Sequence, residues 1–227
     1  MKQFKFFLLL LLMTFCSASQ HPGKGNGRIK TGNGLLLVYA GNISTKYLNL
    51  DVAVHIEMDP SIGIRYEVVY EKGSIPVSHI AIFYKFSSPD QIVLYNFLTH
   101  QSTTETHAPS PDNDAEVSVL GTEAIDSFTC THLQKKGSSD LSEIEATDLW
   151  MSKQIAGFPQ VVNILKKIDP NMVMGLTQAA FQWGGLIKIM MTAVDKNTGE
   201  TSKAIVQLQE VNPTLRFPAS DFNVPTN

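Results

Sequence analysis

The sequence predicts a mainly β (α+β) protein built on an antiparallel sheet, and three observations predict it. The first is alternation. Leu48, Leu50, Val52, Val54, Ile56 and Met58 lie on one side of a strand, with Asn49, Asp51, His55 and Glu57 on the other. After Asp59-Pro60-Ser61 the pattern repeats as Ile62, Ile64, Tyr66, Val68 and Tyr70 against Arg65, Glu67 and Glu71. Such strands bury one face and wet the other, which is the habit of antiparallel sheets. The second observation is the recurrence of turn signals every ten to fifteen residues or so, the spacing of a meander, a sandwich or a barrel. The third is that helical character is confined to one stretch, Phe158–Ile168 and the following Asn171–Trp183.

The amino terminus stands apart from this pattern. Lys2 and Lys5 precede an almost unbroken apolar run, Phe6–Phe15, and Cys16-Ser17-Ala18 supplies the small residues that signal peptidase reads. About ten apolar residues cannot cross a hydrocarbon core of roughly 30 Å as a helix. Residues 1–18 therefore read as a signal peptide cleaved after Ala18. Lipidation at Cys16 is disfavoured, because bulky Phe15 precedes the cysteine. Residues 19–34, SQHPGKGNGRIKTGNG, are glycine-rich and polar and read as a flexible leader. Residues 35–227 are expected to form a single domain. The protein is expected to be exported, periplasmic or extracellular. Of the two cysteines only Cys130 survives cleavage, so burial rather than an internal disulfide holds the fold, and Cys130 reads as a small core residue. A net charge of −3 and the lack of a basic run argue against nucleic acid and against a strongly charged membrane surface.

The first strand is Leu35–Ala40, stopped by Gly41-Asn42. After the alternating pair come a third strand, Val77–Phe86, and a fourth, Gln91 to about Gln101. The third is bounded by Lys72-Gly73-Ser74 and Ser87-Ser88-Pro89-Asp90. Ser102–Ala115 is polar, holds Pro109 and Pro111, and reads as an exposed loop. Val119–Gln134 reads as one strand, Lys135–Asp140 as a turn and Glu143–Ile155 as the strand that pairs with it. In the helix Phe158–Ile168, Val161, Val162, Ile164, Leu165 and Ile168 make one apolar stripe, and Pro159 sits in the first turn. Leu186–Asp195 and Glu200–Val211 form a hairpin whose Gly199 can supply positive φ. The tail is irregular, anchored by Phe217 and Phe222.

Known chemical constellations are not visible. There is no glycine-rich phosphate loop, G-x-S-x-G, H-E-x-x-H or paired cysteine motif. His55, His79 and His100 lie on separate strands and read as solvated or sheet-packed rather than as metal ligands. Asp140, Glu143, Glu145 and Asp148 read as a charged hairpin edge. Asn42-Ile43-Ser44 matches a glycosylation sequon, which matters only in a eukaryotic secretory pathway. Met172, Met174, Met190 and Met191 gather with Phe181 and Trp183 around the helical stretch. Core filling and a deformable apolar pocket both account for them.

Three segments, in order, resemble an uncharacterised exported bacterial family within the superfamily of LolA/LolB-like lipoprotein carriers. Gly121-Thr122-Glu123-Ala124-Ile125-Asp126-Ser127-Phe128-Thr129-Cys130-Thr131-His132 resembles its G-x-x-x-I-x-G-[FY]-x-C/T strand, with Ser127 where glycine is usual. Asp148-Leu149-Trp150-Met151-Ser152-Lys153 resembles the Trp-x-Ser-Lys/Asp strand that follows. Asp221-Phe222-Asn223-Val224-Pro225 resembles the terminal [DL]-F-x-V-P, without the customary Gly-Tyr after it.

The resemblance implies a curved antiparallel sheet forming an incomplete (half) β-barrel, with one or two helices plugging its open side over an apolar cavity. The function expected is a non-enzymatic, cofactor-free carrier of a lipid or an acylated protein, in peripheral contact with an outer membrane at most. Its pocket residues would be Val52, Val54, Ile64 and Tyr66 on the sheet, and Val162, Leu165, Met172, Met174, Phe181 and Trp183 on the lid. The alternative is a structural or protein-interaction module of the cell envelope with no ligand cavity.

Overall fold

A computed structural model describes residues 31–106, 117–136, 144–155, 180, 182–194 and 199–225. Among them are eleven strands: β1 Thr31–Ser44, β2 Asn49–Asp59, β3 Gly63–Lys72, β4 Ile75–Lys85, β5 Gln91–Asn96, β6 Gln101–Thr106, β7 Val117–Ile125, β8 Phe128–Lys136, β9 Ile144–Ser152, β10 Gly185–Val194 and β11 Thr201–Leu215. A short 3-10 helix, Ala219–Phe222, follows. The hydrogen-bonded order is β6-β5-β4-β3-β2-β1-β11-β10-β9-β8-β7. This is a large open sheet, antiparallel in every pair whose register is defined. The expected helices Phe158–Ile168 and Asn171–Trp183, and the peptide 1–18, lie outside the described residues, apart from Ala180, Gln182 and Trp183.

The chain divides into two compact units. Of the described residues, one holds Ala40–Asn49 with β7–β10 and β11 to Leu208; the other holds β1 to Tyr39, Leu50 to Thr106 and the chain from Gln209.

In the second unit the predicted alternation sets the register. Val52, Val54, Ile56 and Met58 stand opposite Tyr70, Val68, Tyr66 and Ile64. Asp59 makes the intervening turn, its Oδ1 accepting from the Ser61 amide at 2.9 Å and its carbonyl from the Ile62 amide at 3.1 Å. Gly73 and Ser74 close β3 onto β4 with φ of 57° and 67°, the left-handed pair that a two-residue hairpin requires. Beyond β4 the sequence reading is corrected. The fourth strand stops at Asn96 instead of Gln101, because the Asn96 Oδ1 accepts from the amides of Leu98 and Thr99 at 2.9 and 3.1 Å. His100, at φ 55°, completes the turn, and residues 102–106 of the supposed loop return with Gln101 as β6. An exposed strand of Gln, Ser, Thr and Glu has no apolar alternation to announce it.

The first unit is corrected in the same way. Val119–Gln134 is not one strand but the hairpin β7–β8, turned at Asp126 (φ 50°) and Ser127. The expected pairing with the next strand holds, with Thr131 opposite Met151 and Leu133 opposite Leu149. Cys130, Leu133, Leu149 and Met151 are fully buried there. β9 ends at Ser152, before the predicted Ile155, and the hairpin β10–β11 forms with Gly199 at φ 69°. Its second strand runs past Val211 to Leu215.

β1 begins at Thr31, inside the stretch 19–34 read as leader, and passes through Gly41-Asn42 to Ser44. Gly41 does not break the strand; it admits a neighbour. A Cβ there would stand 1.9 Å from the carbonyl oxygen of Ile205 and 2.6 Å from the Cα of Val206, so only glycine lets the two backbones meet. Gly41→Val is expected to lower stability by about 2 kcal/mol or more, as overpacking against backbone does. Gly73→Ala meets open space and is expected to cost only about 1–2 kcal/mol, for its left-handed φ. Urea unfolding of both variants measures the difference.

Candidate functional site

The second unit presents one face in four cross-strand rows. Met58, Ile64, Tyr84 and Ile92 make the first; Ile56, Tyr66, Ile82 and Leu94 the second. Val54, Val68, Ile80 and Asn96 make the third, and Val52, Tyr70 and Ser78 the fourth. No charged side chain stands in any row. Val52, Val54, Ile56, Met58, Ile64 and Ile92 are buried, whereas Tyr66, Val68, Tyr70, Ile80, Ile82 and Leu94 are half-buried. The sheet therefore brings together four of the expected pocket residues, Val52, Val54, Ile64 and Tyr66. Val162, Leu165, Met172, Met174 and Phe181 lie outside the described residues. Trp183 belongs to the other unit, where its amide donates to the Ala180 carbonyl at 3.0 Å. Its Nε1 is buried without a hydrogen-bond partner among the described residues.

Burial pushes the phenol of Tyr70 up to about 12. Burial first, and then the neighbouring phenols of Tyr70 and Tyr39, push that of Tyr66 further up, and burial raises Tyr39 as well. These phenols stay neutral and keep their protons at any physiological pH.

The opposite face of β2–β4 carries the charge. Arg65 bridges Glu57 Oε2, at 3.4 Å, and Glu67, and lies over the ring of Phe83. His79 Nε2 is 2.7 Å from Glu67 Oε1, and its ring stacks on Phe97 at 4.1 Å. His55 stands in register with Glu67 on the neighbouring strand, while His100 Nδ1 lies 3.2 Å from the Tyr95 hydroxyl. His55 and His79 thus share Glu67 as a neighbour while His100 has another partner, and among the described residues no group of three His, Cys, Asp or Glu is placed to hold a metal ion.

The carboxyl-terminal motif lies on this charged face. Phe222 is fully buried, Val224 packs on Ala81, Phe83 and Tyr95, and Lys85 Nζ donates to Asn223 Oδ1 at 2.6 Å. An open pocket of about 380 Å³ remains between Arg65, Phe83, Ser220, Asp221 and Asn223-Val224-Pro225.

The first unit holds a polar ladder that sequence reasoning missed. His132 Nε2 lies 3.0 Å from Asp148 Oδ1 and its Nδ1 lies 3.2 Å from Glu123 Oε1. Trp150 stacks on His132 at 4.3 Å and donates its Nε1–H to Glu123, and Lys188 Nζ stands 4.6 Å from the Trp150 ring. Asp148, read as part of a charged hairpin edge, is instead buried inside the sheet, accepting from Gln134 Nε2 at 3.2 Å. Met190 and Met191 are half-buried on successive positions of β10. Cys130 is buried, and burial raises its thiol pKa, which suits a core residue.

The model of the family described as Domain of unknown function (DUF4412) matches residues 62–227. The chain belongs to the DUF4412 family. The match contains all three segments on which the sequence resemblance rested, and it reaches back to β3. No curated protein matches this DUF4412 chain. Among solved structures, an uncharacterized conserved protein from Thermus thermophilus is similar at 10% identity and a TM-score of 0.48, over 86% of this chain and 88% of that one. The Mycobacterium tuberculosis lipoprotein LppX is similar at 10% identity and a TM-score of 0.38, over 80% and 88%. A LolA superfamily protein from Nitrosomonas europaea is similar at 11% identity and a TM-score of 0.31, over 84% and 90%.

The charged face makes a pH prediction. Burial alone would raise the Glu67 carboxyl, but the hydrogen bond from His79 and the charge of Arg65 outweigh it and hold the carboxyl below its ordinary 4.5. A depressed folded value gives stability that is present above the unfolded value and lost as pH falls through the folded one. Burial raises Glu57, whose contribution has the opposite sign. Glu67→Gln is therefore expected to be about 1–2 kcal/mol less stable than the parent near neutrality, the worth of a charged hydrogen bond. The gap should close below about pH 4, near and under the unfolded glutamate value. Denaturant unfolding across that range reads it.

Proposed function

We propose that this is an exported, non-enzymatic protein that binds a lipid or other apolar molecule against the β2–β5 face of its second unit. The observation that carries the reading is the charge-free block of four rows whose central positions, Val68, Ile80, Ile82 and Leu94, are only half-buried. An apolar surface that solvent can reach, set in register across three strands, suits an alkyl chain, each methylene of which gains about 0.8 kcal/mol on leaving water. The charge of β2–β4 is gathered on the other side, so a chain lying along the β2–β5 rows meets no ion within them that must be desolvated, while Glu105 of β6 stands at their edge opposite Ile92. Binding of this kind needs no nucleophile or general base. A lipid or an acylated protein supplies the ligand.

A second reading, an interaction module of the cell envelope, is favoured by the edge strand β7. Its Val119 and Leu120 are 52% and 53% exposed on a strand that, among the described residues, has a neighbour on one side only, an arrangement that can accept a partner strand.

Organic extraction of the purified full chain followed by mass spectrometry is expected to recover a lipid, and a fluorescent fatty acid is expected to bind. Ile82→Asp should keep the strand signal in circular dichroism and weaken that binding about tenfold or more, the equivalent of 1.4 kcal/mol. Clean extracts with no uptake of the fluorescent acid would remove the carrier reading and leave the interaction module.

A further inference from the structure

The charged face of β2–β4 holds a pocket that the lipid reading does not use. All of its lining residues belong to the second unit, and its volume of about 380 Å³ is that of a small-molecule site. Arg65 and Phe83 of the sheet make one wall, and Ser220, Asp221, Asn223, Val224 and Pro225 of the carboxyl-terminal segment make the other. Two opposite charges therefore line one cavity, and among the described residues no ion pair joins them.

Each of the two leaves something unmet. Arg65 donates through Nη2 to Glu67 and reaches Glu57 through Nη1 only at 3.4 Å, while its Nε is buried without a hydrogen-bond partner. A guanidinium has about five N–H donors, so an oxygen entering the pocket finds some of them free. Asp221 is half-buried, and its carboxylate has no ion pair or hydrogen bond among the described residues. Lys85 is not on the wall; its Nζ holds Asn223 Oδ1 at 2.6 Å. Of the charges that line the pocket, that of Arg65 is countered by Glu57 and Glu67, and that of Asp221 is not. The Glu57 carboxyl registers the surplus. Burial first, and then the charges of Asp221 and Glu67, raise it against the pull of Arg65.

We propose that this pocket binds a small amine with an acceptor oxygen next to its ammonium, as in an amino-acid amide: the ammonium on Asp221, the oxygen on Arg65, and an aliphatic side chain against Val224 and Pro225. The ammonium supplies the counter-charge that Asp221 lacks. A carbonyl takes a guanidinium donor without adding negative charge beside Glu57 and Glu67, whereas a free carboxylate there is repelled by both. The site lies on the face opposite the lipid surface and does not depend on it.

Calorimetric titration of the full chain with L-leucinamide, L-leucine, N-acetyl-L-leucinamide and the tripeptide Leu-Ala-Ala amide tests the site. Leucinamide is expected to bind tightest, and leucine about threefold more weakly for its added negative charge. The acetylated amide, which has no ammonium, is expected not to bind. Asp221→Asn keeps the shape and removes the charge, and should weaken the leucinamide Kd about five- to tenfold, the worth of one charged hydrogen bond. A tripeptide that binds as tightly as leucinamide assigns the amino terminus of a peptide as the source, and binding of leucinamide alone assigns a free small molecule. The methyl signals of Val224 give a readout that needs no variant: in the parent chain they should shift with leucinamide and stay in place with the acetylated amide. Equal binding of those two probes, no binding of either, an Asp221→Asn chain that binds like the parent, or shifts confined to residues away from the pocket each overturns the site. None of these results touches the fatty-acid test of the carrier reading.

Discussion

Register along β2–β5 is the constraint on which the second unit depends. Successive side chains of a strand point to opposite faces, so a slip of one residue exchanges the faces completely. In this chain a slip would put Glu57, Arg65 and Glu67 where Ile56, Ile64 and Tyr66 now stand, and would bury three charges. The penalty is far larger than any single contact in the sheet contributes. Short turns reinforce the choice: Asp59 holds the β2–β3 corner through its own side chain, and Gly73-Ser74 leaves no slack between β3 and β4. The separation of an oily face from a charged one is therefore a condition of folding as well as the basis of the ligand reading.

The charged face is itself only half wet. Arg65, Glu67 and His79 have side chains 23%, 14% and 15% exposed, and the carboxyl-terminal segment covers part of the same surface. Ala81, Phe83 and Tyr95 would otherwise be an apolar island among ions. Val224 packs on it together with Val93 and Phe97, and Lys85 ties the segment down through Asn223. The terminal motif thus has a packing role that explains most of its residue types without any contact to a ligand: an aromatic and an aliphatic to bury, an amide to anchor, and a proline to end the segment.

The first unit solves a different problem. β9 lies between β8 and β10 and is buried on both sides, yet it carries Asp148, Thr147 and Ser152. Such groups persist only when partnered. Asp148 takes His132 and Gln134, and Ser152 donates to the Thr129 carbonyl at 2.9 Å. Trp150 is held between strands by His132, Glu123 and Lys188. The two segments Gly121–His132 and Asp148–Lys153 lie on the strands β7–β9 that carry this ladder.

What the sequence by itself determined is the period-two alternation of residues 48–71, hence β2, β3 and their faces, and the turns whose chemistry is local: Asp59-Pro60-Ser61, Gly73-Ser74 and Gly199. Four of the proposed ligand-face residues followed from it, because inward and outward positions are written directly in the alternation. Tertiary structure alone decided the rest. Gly41 looks like a strand end until the backbone of Ile205 is placed against it. Asp126-Ser127 and Asn96 make turns with residues that are ordinary elsewhere, and β6 has no apolar face to reveal it. Tyr70 and Ser78, eight residues apart, meet only because β4 folds back on β3, as do His132 and Asp148 because β9 returns along β8. Local sequence specifies the conformation of a strand and the side each residue faces; which residues share that side depends on pairing between strands, and pairing is not a local property.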